Sequence, residues 1–115
     1  MVFLQVVIEK MLSKSLEQLM QEKLFTPLKM INSAYVWQPG FEENYSFGHS
    51  ATGEILPKDK DNDARSASTL ETTLDDYALF TKAVLQHSII NASTTKQMFS
   101  PQIKSGQSNS LVHCV

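Results

Sequence analysis

The chain has 115 residues and a formal net charge of −2, with 42% hydrophobic and 19% charged residues. That length suits one domain and that balance a globular one, which sets aside whole-chain disorder, collagen and coiled coil. The mild acidity leaves no electrostatic footprint for nucleic acid, the one cysteine (Cys114) excludes a disulfide scaffold, and no apolar run approaches the roughly 20 residues that span a bilayer.

Met1 to Ile8 is apolar apart from Gln5. It lacks the basic start and small-residue cleavage site of a secretory signal, and Glu9-Lys10 interrupts it, so it reads as a helix. Phe3, Val6, Val7, Lys10 and Met11 keep helical spacing, with Lys10 as the polar exception, and Leu4 and Ile8 widen the stripe. This predicts a helix over about 2–12, apolar on most faces. Ser15-x-x-Gln18 is a capping box that opens a second helix carrying Leu16, Leu19, Met20 and Leu24. Its end is expected near Phe25, because Pro27 disfavours helical geometry at Thr26. Leu28 and Met30 read as a hydrophobic turn packing back on these helices.

Tyr35, Val36 and Trp37 are strand-prone, and Pro39-Gly40 marks a turn. Tyr45, Phe47 and His49 alternate with small or polar residues before Ala51-Thr52-Gly53, a hairpin pattern with Gly53 supplying positive φ. Asp59, Asp61 and Asp63 alternate as calcium ligands do, but Ala64 and Leu70 stand where such a loop needs Gly and Glu, so a solvated loop is expected. Thr73 is an N-cap with Asp76 at N3, opening a helix over about 74–86 whose stripe is Leu74, Tyr77, Ala78, Thr81, Val84 and Leu85. Asn91 or Ser93 caps a short last helix that Pro101 stops. After Ile103 the periodicity vanishes. Residues 1–103 are therefore expected to be the ordered part and 104–115 a disordered or adventitious tail. The order of elements gives an α+β, helix-rich class.

Several blocks carry a resemblance. Ser15-Leu16-Glu17-Gln18 leads into Leu24 to Ser33. Ala67 to Phe80 and Lys96 to Gln102 follow, with the Tyr45–Pro57 hairpin between the first two. In this order and spacing, over about 2–103, they resemble the serine β-lactamase-related family, which includes class C β-lactamases, penicillin-binding-type peptidases and esterases. Lys29 departs from a usual Gly, and Ser68-Thr69 from a frequent Gly-Gly that borders the family's cleft. The resemblance implies part of a β-lactamase/transpeptidase-like fold, the helical region with a cleft-wall hairpin. Ser68, Thr69, Leu70 and Tyr45 would be substrate-cleft wall residues. The implied reaction is acylation of a serine by an amide, ester or β-lactam, then hydrolysis. Members are often periplasmic or secreted; nothing here fixes this chain's compartment.

The family's catalytic motifs are Ser-x-x-Lys, Tyr-x-Asn and Lys-Thr-Gly, and the resemblance places all three outside the matched region. Ser93-Thr94-Thr95-Lys96 is a literal Ser-x-x-Lys and Lys104-Ser105-Gly106 a literal Lys-Ser-Gly. Ser93 would be the nucleophile and Lys96 its base, but the two motifs stand too close together and in the wrong part of the family order, so the expected catalytic set is none. Tyr45-Ser46-Phe47 fails as Tyr-x-Asn for want of an amide. His49 and His87 read as structural, and the adjacent His113 and Cys114 do not make a metal site. No metal or other cofactor is expected. Tyr35, Trp37, Phe41 and Tyr45 are either a ligand groove or core. The chain thus reads as a hydrolase segment, inactive by itself, whose partner is the remainder of the parent domain or further copies of itself. The competing reading is a small non-catalytic helical module that self-associates through its apolar first helix.

Overall fold

The wide apolar stripe at the start forms helix α1, Val2–Leu12, in a computed structural model that describes residues 2–60, 62–104 and 111–113. None of its residues is buried, and Phe3 is 82% exposed. The capping box is present. Ser15 Oγ accepts from the Gln18 N–H (3.3 Å), the Gln18 side chain accepts from the Ser15 N–H (3.1 Å), and α2 (Leu16–Met20) follows. Glu9 adds a second tie, its carboxylate accepting the Leu16 N–H at 2.6 Å.

The helical path does not end at Phe25. It continues through a π turn, Gln21–Phe25, into α3, Thr26–Leu28, with Thr26 in right-handed geometry. The Thr26 N–H reaches back to the Gln21 carbonyl, one residue farther than in an α-helix. That widened turn accommodates Pro27, which has no N–H to place in the ladder. It also delivers Phe25 to the core, where it is 1% exposed and stacked on Tyr35 at 6.2 Å. Burying such a ring is worth about 1.5–3 kcal/mol. Met30 and Ala34 join it, Met30 as the turn pattern predicts.

The chain divides into two units, Met1–Leu79 and Phe80–Val115. In the first, the expected strand around Tyr35–Trp37 is a single bridge, Ala34 with Glu71, closed by two amide bonds of 3.1 and 2.9 Å. Side chains take over the next ladder positions. Glu17 accepts the Tyr35 N–H (2.6 Å), and the Thr69 hydroxyl donates to the Tyr35 carbonyl (2.8 Å). The Tyr45–Pro57 hairpin is likewise short, with one bridge, His49 with Ile55, and Gly53 at φ 85° in its turn.

Helix α4, Leu74–Leu85, starts as its cap predicts, with the Asp76 N–H on Thr73 Oγ1 at 3.3 Å. Of the predicted stripe only Val84 is buried. Leu74 is 84% exposed and Tyr77 and Leu85 are also exposed, while Asp76, Ala83 and Val84 are buried. Asp76 is held by the segment at Asn32 and Ser33. Its Oδ2 accepts from the Asn32 N–H and from Ser33 Oγ, each at 2.8 Å, with Asp76 only 3% exposed.

In the second unit, α5 (Ala92–Met98) is capped by Asn91, whose Oδ1 accepts the Thr94 N–H at 2.8 Å. Thr95 is buried there and meets His87 Nδ1 at 3.1 Å. Strands β1 (Pro101–Lys104) and β2 (Leu111–His113) pair antiparallel, Ile103 opposite Val112. This ladder falls partly within the expected tail over 104–115; residues 105–110, 114 and 115 lie outside the described residues.

Helix ends are closed without glycine. Lys29 is left-handed (φ 59°), with its N–H on the Thr26 carbonyl and the Met30 N–H on the Phe25 carbonyl, and His87 (φ 56°) repeats the pattern at the end of α4. Ser13 (φ 51°) ends α1, with Lys14 reaching back to Glu9. These are Schellman-type closures, in which a side chain at the left-handed position is strained. Lys29→Gly is therefore expected to raise stability by about 0.5–1 kcal/mol, read as a higher urea midpoint at unchanged slope. Asp76→Ala leaves two donors in a buried place and is expected to lower stability by about 3 kcal/mol in the same assay.

Candidate functional site

The site grows from the residues after the Ala34–Glu71 bridge. Pro39 opens a 3₁₀ turn, Pro39–Glu43, that folds Phe41 and Glu42 back on Trp37. Trp37 meets Phe41 edge-on at 5.6 Å and Tyr45 at 5.3 Å, and Tyr45 continues the row to Phe47 at 5.0 Å. Lys60 stands over Trp37 (5.1 Å) and Tyr45 (5.4 Å), with Lys58 5.6 Å from Trp37. Such contacts place a cation against the negative face of the rings.

Carboxylates hold both lysines. Lys60 bonds both oxygens of Glu42 (2.8 and 2.6 Å), and Glu42 Oε1 also accepts Trp37 Nε1–H at 3.0 Å. Lys58 donates to Glu71 Oε1 at 2.5 Å. The Lys60 hydrogen bond, with the Trp37 one beside it, holds the Glu42 carboxyl below the usual glutamate range. The same bond raises Lys60 above the usual lysine value. Burial, with Glu17 nearby, raises the Tyr35 phenol.

Two cavities adjoin this wall and share Trp37 and Glu71. The larger, about 370 Å³, is lined by Phe41, Tyr45, Asn32, Asn44, Thr72 and neighbouring residues. The smaller, about 190 Å³, is lined by Lys58, Asp59, Ser68 and Thr69. Of the residues named from sequence, Tyr45 thus lines the first and Ser68 and Thr69 the second. Leu70 is exposed and lines neither. Thr69 is fully used, its hydroxyl donating to Tyr35 O and accepting the Arg65 N–H at 2.9 Å. Trp37, Phe41 and Tyr45 form the groove side of the aromatic set, whereas Tyr35 faces Phe25. Sequence reasoning missed Glu71, Thr72 and the lysine–glutamate clasp. Only the alternating charges of Lys58 to Asp63 hinted at the last.

The low-order matches stand apart from this wall in sequence and element. Ser93 is the second residue of α5 and Lys96 lies one turn on, both exposed. His49 is exposed at its hairpin bridge. The side chain of Lys104 and residues 105, 106, 114 and Asp61 are outside the described residues, which leaves the Lys-Ser-Gly and His113-Cys114 readings and part of the calcium-like run outside too. Among the described residues no three His, Cys, Asp or Glu side chains gather as metal ligands would. No helix among them is long and apolar enough to cross a membrane.

A family model described as "Beta-lactamase" matches residues 1–112. A comparison with curated proteins gave no significant match. Among solved structures, the chain is similar to the octameric penicillin-binding protein homologue from Pyrococcus abyssi, at 21% identity and TM-score 0.67, over 91% of this chain and 25% of that one. It is also similar to simvastatin synthase from Aspergillus terreus, at 18% identity and TM-score 0.73, over 87% of this chain and 27% of that one. A third likeness is to D-amino acid amidase from Ochrobactrum anthropi SV3, at 18% identity and TM-score 0.65, over 84% and 32%. These likenesses show the fold, of β-lactamase/transpeptidase type, and the chain spans between a quarter and a third of each of those structures.

Because Glu42 is held ionised below its ordinary range, the clasp's contribution is present above that range and lost as pH falls through the lowered value. Lys60 sets the other limit, since its contribution persists below the ordinary lysine value and is lost as pH rises through the raised one. Trp37 is the single tryptophan. Its emission is expected to show an acid transition below the usual glutamate range, absent in Glu42→Gln. A transition at the ordinary position would contradict the clasp.

Proposed function

This chain belongs to the β-lactamase family, and on that premise we propose that it forms the helical region and one cleft wall, including the hairpin, of a serine hydrolase. The parent reaction is attack of a serine oxygen on an amide, ester or β-lactam carbonyl. The amine or alcohol leaves, and water then releases the acid and restores the serine. The observation that carries the reading is the pair of adjoining cavities at Trp37 and Glu71, walled by Tyr45, Ser68 and Thr69. These are the hairpin and the stretch that the family resemblance assigns to the cleft. Leu70, exposed beside Glu71, stays with that wall in the proposal.

No residue of this chain is assigned a catalytic role. Exposure of Ser93 and Lys96 on a short helix supports the assignment of Ser93 to surface, since a nucleophile needs a positioned base and an oxyanion-binding site. Loss of periodicity after Ile103 supports treating 1–103 as the working segment. The exposed apolar face of α1 fits the same reading, as the side that the remainder of such a domain covers. Copies of the chain are the other proposed partner, on the analogy of the octameric archaeal homologue.

The purified 115-residue chain is expected to hydrolyse neither nitrocefin nor a p-nitrophenyl ester above the buffer rate, with Ser93→Ala no different. Turnover that a serine-reactive phosphonate abolishes would overturn this reading.

A further inference from the structure

Thr72, in the lining of the larger cavity, ends a hydrogen-bond chain that runs behind it through Ser33 to the buried Asp76. Ser33 Oγ lies 2.8 Å from Asp76 Oδ2 and 2.8 Å from Thr72 Oγ1. A serine hydroxyl has one proton, and a carboxylate only accepts. Ser33 therefore donates to Asp76, since any other arrangement sets oxygen lone pairs against a carboxylate at hydrogen-bond distance. Thr72 must then be the donor to Ser33, its other acceptor, the Thr73 carbonyl, being farther away at 3.4 Å. With its proton directed inward, the Thr72 hydroxyl can only accept from a ligand.

Thr72 lines the cavity next to Glu71, a second acceptor that Lys58 engages through Oε1. Opposite this acceptor pair in composition stand Trp37, Phe41 and Tyr45, whose rings favour offset or edge-on packing of another ring. A volume of about 370 Å³ is in the range of small-molecule sites.

We propose that this cavity binds a small aromatic group bearing an N–H donor, such as a primary amide, with Thr72 Oγ1 as the acceptor that selects it. Asp76 and Ser33 are positioning residues, acting through Thr72. The inference rests on the reading of this cavity as part of the substrate cleft, and it names the chemistry that the wall prefers.

Phenylacetamide and methyl phenylacetate share ring and carbonyl, but only the amide carries an N–H. Titration of Trp37 emission in the full chain is expected to saturate with phenylacetamide at concentrations on the order of millimolar. Methyl phenylacetate is expected to bind about fivefold more weakly, the effect of one hydrogen bond. Thr72→Val removes the acceptor together with its bond to Ser33, and is expected to melt lower but still cooperatively and to erase that preference; Thr72→Ser retains both the bond and the preference. Equal binding of amide and ester, a preference unchanged in Thr72→Val, or no saturable binding overturns the proposal. Turnover is not read in this test, so failure of the hydrolase reading and failure of this one remain distinguishable.

Discussion

Asp76 is the constraint on which the first unit depends. It sits in the opening turn of α4, where a negative charge is favoured by the helix dipole, yet its carboxylate does not serve the helix alone. It gathers the Asn32 amide and the Ser33 hydroxyl into a buried place. Two residues after Asn32 lies Ala34, whose bridge to Glu71 fixes the base of the cavity wall. One carboxylate thereby ties the first turn of α4 to the segment that enters the bridge and sets the proton direction at Thr72. A buried carboxylate is unfavourable unless satisfied, so the fold around it is narrowly specified.

Start signals of helices were legible and their ends less so. Ser15, Thr73 and Asn91 each cap as their side chains dictate, because capping is local and needs only a hydroxyl or amide at the right offset. The ends depend on a left-handed residue, for which glycine is the usual marker, and the chain has four glycines in all. Ser13, Lys29 and His87 occupy those positions instead, so no local sign announces them. Pro27 misled for the opposite reason. It is a strong local signal for a stop, but the π turn before it supplies the wider register that lets the helical path continue to bury Phe25.

The stripe on α4 shows where periodicity fails. Leu74, Tyr77 and Leu85 keep helical spacing yet are exposed, Val84 is the stripe's one buried member, and Asp76 and Ala83 are buried outside it. Together with the exposed α1, this leaves much apolar surface uncovered, as expected for a chain that spans a quarter to a third of its structural relatives. The lining of the two cavities was legible in part. Tyr45, Ser68 and Thr69 came through resemblance, and the aromatic row through residue type. Glu71 and Thr72 have no signature of their own. They line the cavities only because a bridge to Ala34 and a hydroxyl contact to Ser33 place them there.

The abundance of hydroxyls takes on a different meaning in this light. Ser33 has a carboxylate at hydrogen-bond distance, which superficially suits an activated nucleophile. A carboxylate alone is too weak a base to remove a serine proton, however, and Ser33 is buried with both its bonds directed into the protein. Thr69 is closed between Arg65 and Tyr35, and Thr95 is buried against His87. In each case the hydroxyl ties two stretches of chain by a side-chain bond, two of them beside the Ala34–Glu71 backbone bridge. The sparse sheet makes this necessary: with a bridge where a strand was expected, side-chain oxygens satisfy the amides and carbonyls that a longer ladder would have paired. The same chemistry that makes the chain look rich in nucleophiles is what holds its cavity wall in place.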